Sequence, residues 1–164
     1  MAKRVYLDSS VILAFLKGEA GRGEHVKAAL FTASTPGSDL QFVTSVHSLI
    51  EITYIENLPG SLEDGFSRID DFWGTAPIQL IEVNEVAVIR GRAMMRERLR
   101  SGQQPELPSA RKRAADPVHL STAIWLKVDE FWTYDGLDFS KYPQQDVTVR
   151  EPYGEQMLMP GVDL

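Results

Sequence analysis

The sequence predicts an α/β protein with a central, mostly parallel sheet of about five strands and helices on both faces. Three observations carry this reading. Short β-rich runs recur along the chain and end at polar turns. Between them lie longer stretches with apolar residues at helical spacing. The 164 residues are 43% hydrophobic, enough for one real core in one domain.

Residues 4–7 form the first strand, which ends at Asp8, Ser9 and Ser10. Residues 11–16 are the apolar start of a helix stopped by Gly18, so the chain opens as a βα unit. Residues 24–31 read as a second helix, and 34–39, with Pro36 and Gly37, as a loop. Residues 41–44 are the second strand, with Ser45 as the N-cap of a helix over 46–55. Ser61 caps the next helix, where Phe66, Ile69, Phe72 and Trp73 recur at helical spacing. Residues 77–83 are the third strand. Asn84 then caps a long helix to Arg100, whose apolar face is Val88, Met95 and Leu99, with Ala87, Gly91 and Met94 beside it.

Residues 102–112, with Pro105 and Pro108, read as a loop. Asp116 before Pro117 has the form of an N-cap opening a helix. Residues 131–134 are the fourth strand and 147–149 a short fifth. A single domain over 1–152 is followed by an expected loose tail over 153–164. Trp73, Trp125 and Trp132 sit in apolar contexts and are expected in the core, and the Met94 and Met95 pair reads as packing or a dimer contact.

Zero cysteines exclude a disulfide framework, a thiolate zinc site and a cysteine nucleophile. Asp8 interrupts the apolar run that a signal peptide or a membrane span would need near the start. No membrane partner and a cytoplasmic location are therefore expected. The formal charge is −6 but unevenly spread. Eight basic residues from Arg90 to Arg113 face only Glu97 and Glu106, a local +6 that leaves −12 on the rest. Such a chain can bind a polyanion on one side and keep acidic chemistry elsewhere.

Four carboxylates stand out. Asp8 and Asp135 follow strands, where open parallel sheets gather functional groups. Glu51 lies on a helix otherwise rich in Leu49, Ile50, Ile52, Tyr54 and Ile55, so it must face a polar cavity or the surface. Asp116 opens a helix, where backbone N–H groups favour its ionised form. Each has a plain alternative, as a turn residue, a surface glutamate or a cap. Converging carboxylates repel, and a divalent cation is what commonly neutralises them. All-oxygen ligands point to Mg²⁺ or Mn²⁺ rather than zinc. Such an ion polarises a phosphoryl oxygen and lowers the pKa of bound water, so no side-chain nucleophile is needed.

Four pieces in order, VYLDSSVILAFL, TSVHSLIEITY, ADPVHLSTA and FWTYDGLDF, resemble PIN-domain ribonucleases, most closely the VapC-type toxins of toxin–antitoxin pairs. The resemblance covers residues 5–149. It implies a PIN-like three-layer α/β/α sandwich with an acidic site on Asp8, Glu51, Asp116 and Asp135. Ser9 and Ser10 match the polar residues after the first Asp. Thr133 matches the threonine that helps hold the site, and Asp138 lies in the same motif, though the pattern favours Asp135. It further implies a Mg²⁺- or Mn²⁺-dependent endoribonuclease that hydrolyses RNA with an activated water, a homodimer, and a small antitoxin partner. His119 falls where a histidine recurs in related sequences, and is expected to pack at the helix–sheet boundary. The chain is longer than compact toxins of this type, with extra sequence around 18–24, 101–112 and the tail.

His47, four residues before Glu51, shares its helix face and is weighed between substrate contact and a surface or capping role. Arg111, Lys112 and Arg113, just before Asp116, would steer an RNA backbone toward the site. Other readings are an RNA-processing nuclease outside a toxin–antitoxin pair, a receiver-like signalling module, and a non-catalytic binding protein. The receiver reading needs a lysine at a late strand end, and Thr133, Tyr134 and Asp135 offer none.

Overall fold

Val5, Tyr6 and Leu7 are all buried in the first strand, β1 (Lys3–Leu7), which requires a central strand covered on both faces. In the computed structural model, which describes residues 2–56, 59–102, 115–142 and 147–153, β1 is the middle of a five-stranded sheet. Its neighbours are β2 (Leu40–Ser45) and β4 (Glu130–Trp132), and the edges are β3 (Ile78–Ile81) and β5 (Thr148–Arg150). The order is β3-β2-β1-β4-β5 and every pair is parallel, with Val5 opposite Phe42 and Glu130.

Strand alternation divides the core. Val5, Leu7, Phe42 and Trp132 point to one face, where they pack with α1 (Ser9–Lys17), α2 (Arg22–Ser34) and α4 (Leu62–Thr75). Tyr6, Val43 and Phe131 point to the other, against α5 (Glu85–Arg100) and α6 (Asp116–Leu126). The result is the expected three-layer α/β/α sandwich. Two short helices, α3 (His47–Glu51) and α7 (Gly136–Phe139), follow β2 and β4 directly. The crossovers first lead away from β1 to β2 and β3, then return to β4 on its other side. The carboxyl ends of β1 and β4 therefore form the topological switch point of the sheet.

Several local expectations are corrected. The helix expected over 46–55 is only α3, because the chain turns to bury Ile52 and Ile55 among α1 and α4 residues, and Thr53 bonds back to the Leu49 and Ile50 carbonyls. Ser45 is not its N-cap residue, but its hydroxyl accepts the His47 N–H at 3.2 Å and serves the first turn all the same. Asp116 is the first residue of α6 rather than its cap, which falls on Ala115. The buried face of α5 is Ala87, Gly91, Met94 and Arg98, while Val88 and Leu99 are exposed. A Cβ on Gly91 would lie 2.9 Å from the Pro117 carbonyl oxygen, so α5 crosses the start of α6 too closely for larger residues. Trp132 is buried as expected, but Trp125 is 47% exposed. Asn84 caps α5 as expected, accepting the Ala87 N–H at 2.8 Å.

Arg98, within the basic stretch from Arg90 to Arg113, is buried. Its guanidinium donates to the Tyr142 hydroxyl at 2.8 Å and stacks over that ring. Tyr153, at the expected start of the loose tail, is also buried. Its ring packs on Trp132, and its hydroxyl meets Lys3 and Glu130, while residues 154–164 lie outside the described ones. No helix among the described residues is long and apolar enough to cross a membrane.

Candidate active site

Asp8 stands at the carboxyl end of β1 and caps α1. All its side-chain bonds fall on one oxygen. Oδ2 accepts from the Ser10 hydroxyl at 2.6 Å, the Thr133 hydroxyl at 3.0 Å and, more weakly, the Ser10 N–H at 3.4 Å. Thr133, just past β4 and wholly buried, also accepts the Asp135 N–H at 3.0 Å. The Ser10 hydroxyl accepts the Tyr134 N–H at 3.1 Å, so both strand ends are tied by one hydroxyl lattice. Ser10 and Thr133 therefore both donate to Asp8.

Glu51, at the end of α3, is held in the same manner. Its Oε2 accepts from the Ser9 hydroxyl and from His119 Nε2, the latter at 2.7 Å. Behind Ser9, the Ser48 hydroxyl lies 2.8 Å from Thr44 Oγ1, which donates to the Leu7 carbonyl at 2.7 Å. This polar thread runs through the buried end of β2 and fixes α3 beneath α1.

His119 is fully buried on α6, one turn beyond Asp116. Its Nδ1 meets the Tyr6 hydroxyl at 2.7 Å and Ser45 Oγ at 3.2 Å. Burial disfavours its charged form. The hydrogen bond to Glu51 and the charges of Asp8, Glu51 and Asp116 outweigh that, and hold its pKa above the ordinary value. Burial likewise pushes the Glu51 carboxyl up, but His119, Ser9 and the nearby His47 bring it below its usual value. Burial drives the Tyr6 hydroxyl well above its ordinary value, so it stays protonated.

Two expected site residues, Glu51 and Asp8, are thus held by the adjacent hydroxyls of Ser9 and Ser10, and Asp116 opens the helix that carries His119 one turn on. Asp135 lies at the rim. It is exposed at the start of α7, and its carbonyl accepts the Asp138 and Phe139 N–H groups. Asp138 is paired with Lys141 at 2.8 Å. Arg111, Lys112 and Arg113 lie outside the described residues. His47 is exposed, its ring 6.2 Å from that of His119.

The donors are oxygens of a hard type, and both His119 nitrogens are engaged elsewhere, so in kind the set suits a divalent cation such as Mg²⁺ or Mn²⁺. Among the described residues no group of three or more histidine, aspartate or glutamate side chains is placed to hold a metal ion. Sequence reasoning missed the Glu51–His119–Tyr6 chain. The one signal was His119 three residues after Asp116.

No protein-family model and no curated protein sequence matches the chain. Solved structures do. The VapBC2 structure from Rickettsia felis, bound to a promoter DNA fragment, is 15% identical, with 90% of this chain and 98% of that chain covered at a TM-score of 0.62. DNA-bound VapBC from Salmonella typhimurium is 14% identical, covering 93% of this chain and 100% of that one, also at 0.62. VapC20 of Mycobacterium tuberculosis, described as a sarcin–ricin loop cleaving toxin, is 14% identical, covering 87% and 98%, at 0.57. The coverage of nearly whole chains on both sides, with an all-parallel five-stranded sheet, shows that this chain has the PIN-domain fold of the VapC toxins.

Proposed function

We propose that the chain is a metal-dependent endoribonuclease that hydrolyses RNA phosphodiester bonds, and that it is the toxin of a toxin–antitoxin pair. The observation that carries this reading is the placement of Asp8 at the switch point. Ser10 and Thr133 grip it by one oxygen, and Ser9 beside it holds Glu51. Asp8, Glu51, Asp116 and Asp135 would hold the cation, Mg²⁺ or Mn²⁺. Bound there, it would supply charge to the phosphoryl group and acidify a water. The chain's own contribution is to aim these carboxylates. Ser9 orients Glu51, Ser10 and Thr133 orient Asp8, and Thr133 ties down the Asp135 backbone. The likeness to VapBC complexes supports an antitoxin as partner, and action in the cytoplasm is part of the same proposal.

A homodimer is part of the same proposal. Val46 just before α3, Leu49 and Ile50 within it, and Val86 and Ile89 at the start of α5 are exposed apolar side chains. They flank the carboxyl end of the edge strand β3, where the Val46 N–H meets the Ile81 carbonyl. A second copy seated there would cover them.

The deciding experiment is cleavage of a pool of tRNA and rRNA fragments with Mg²⁺, with Mn²⁺ and with EDTA, beside Asp8→Ala purified identically. Metal-dependent cutting at discrete sites, lost in Asp8→Ala, is the expected result. Equal behaviour of both proteins would remove the nuclease function.

A further inference from the structure

Glu51 carries two side-chain bonds, and both fall on Oε2. One donor, Ser9, belongs to the neighbouring helix α1. The other, His119, comes from α6 on the opposite side of the sheet, 68 residues away in sequence. A carboxylate accepts and does not donate, so the proton between them sits on Nε2 of the ring in either charge state. The remaining nitrogen rests on the Tyr6 hydroxyl at 2.7 Å. That hydroxyl in turn accepts the Ser45 N–H at 3.0 Å.

Each member of this chain is anchored by a different element. Tyr6 is on the central strand, Ser45 ends β2, and His119 is wholly buried on α6. The ring is locked edge-on against Tyr6, 5.9 Å between centroids. With both nitrogens spent and no exposure, it does not reach substrate. It bonds one expected site carboxylate, Glu51, and stands one turn beyond another, Asp116, on the same helix. An apolar residue of similar size would fill the space equally well, but it would leave Glu51 held by Ser9 alone and the Tyr6 hydroxyl without a ring nitrogen. Packing therefore does not account for a histidine here.

We propose that His119, seated on Tyr6, is the positioning residue of this site: it pins Glu51 by Oε2 and leaves Oε1 as the oxygen that acts. The inference rests on the metal-dependent reading of the same site.

The test compares the wild type with His119→Leu, which lacks a donor, and His119→Gln, whose amide N–H₂ restores one. Binding of Mn²⁺ alone is followed by electron paramagnetic resonance. We expect His119→Leu to weaken it about tenfold or more, and His119→Gln to recover to within about threefold, the size that partners behind a ligand usually carry. In cleavage assays kcat falls while KM for RNA holds. In the metal-free protein a downfield, slowly exchanging His119 Nε2–H proton is expected by NMR and is lost in Glu51→Ala. Should His119→Leu not fold, His119→Met takes its place beside His119→Gln. A folded donor-less variant with wild-type Mn²⁺ affinity, or a wild type lacking the Nε2–H signal, would overturn the proposal. If the wild type itself binds no Mn²⁺, the nuclease reading falls, and the Nε2–H proton alone then upholds or overturns the Glu51–His119 brace.

Discussion

Thr133 donates its hydroxyl to Asp8 Oδ2 at 3.0 Å across 125 residues of sequence, and so joins the carboxyl ends of two adjacent strands. Thr133 Oγ1 also accepts the Asp135 N–H at 3.0 Å, so one side chain orients two expected site residues. Thr133→Val keeps the shape and removes the hydroxyl. It leaves a buried carboxylate and a backbone N–H short of a partner, at a cost of about 1–3 kcal/mol. Urea denaturation should show that loss, and RNA cleavage should fall with it. Thr133→Ser, which keeps the hydroxyl, should recover most of both. A valine variant as stable and active as wild type would show that the lattice does not hold the site.

Gly91 meets the start of α6 with no room to spare. A Cβ there would stand 2.9 Å from the Pro117 carbonyl oxygen and 3.2 Å from the Val118 nitrogen, both backbone atoms that do not swing aside. Pro117 follows Asp116, so the strain bears on the site. Gly91→Ala is expected to destabilise by about 1–3 kcal/mol, despite alanine's better helix propensity. Gly65, with nothing within 4 Å of its Cβ position, serves as the control. Gly65→Ala should be neutral or slightly stabilising in the same thermal melt.

Stability against pH should depend on a second ionic group, at the opposite end of the sheet from the site. Glu130, at the start of β4, pairs with Lys3 at 2.9 Å and accepts the Trp132 indole N–H at 2.7 Å. Burial raises its carboxyl, but Lys3, Trp132 and Arg150 together bring it below its ordinary value of 4.5. A carboxylate lowered in the folded state stabilises fully above its unfolded pKa and loses that contribution as pH falls through the folded one. The melting temperature should therefore decline below about pH 4.5, and Glu130→Gln should flatten that decline. Lys3 works in the other direction. Burial lowers it, but Tyr153 and Glu130 outweigh this and raise it above 10.5. Its contribution is present below that value and is lost as pH rises through the folded one. An acid limb unchanged in Glu130→Gln would show that other carboxylates govern it.

The sheet was legible because its strands are short apolar runs, and a strand buried on both faces has little other way to read. Asp8 was legible for a related reason, since a polar residue right after such a run lands at one end of a parallel sheet, whereas Ser10 and Thr133 were singled out through the resemblance alone. The face of α5 was not. Counting apolar residues favours Val88 and Leu99, yet the helix buries Ala87 and Gly91, because a close crossing selects for small size rather than for hydrophobicity. Glu51 could be singled out as a lone acid on an apolar helix, but its partner could not be named. His119 and Tyr6 reach it from the other face of the sheet, and no local pattern encodes a hydrogen bond across 68 residues.

Arg98 separates packing from RNA binding within the basic stretch. It occupies the buried face of α5, donating to the Tyr142 hydroxyl at 2.8 Å with Asp138 at 3.8 Å, whereas Arg92, Arg96 and Arg100 are exposed. A guanidinium so enclosed releases no counterions from a polyanion. Arg98→Gln should cost about 3 kcal/mol, because it breaks a buried charged arrangement, and should leave the salt dependence of RNA binding unchanged. Reversing Arg92, Arg96 and Arg100 to glutamate should do the opposite. Stability is nearly kept, while the slope of log K against log salt shrinks by about 0.7 for each single-strand phosphate that is no longer neutralised. Fluorescence anisotropy with labelled RNA and the Asp8→Ala protein reads both slopes without cleavage. A changed slope in Arg98→Gln alone would place the RNA against the carboxyl end of α5 and α7. An unchanged slope in the triple reversal would move the RNA path off α5 and onto the segment carrying Arg111, Lys112 and Arg113.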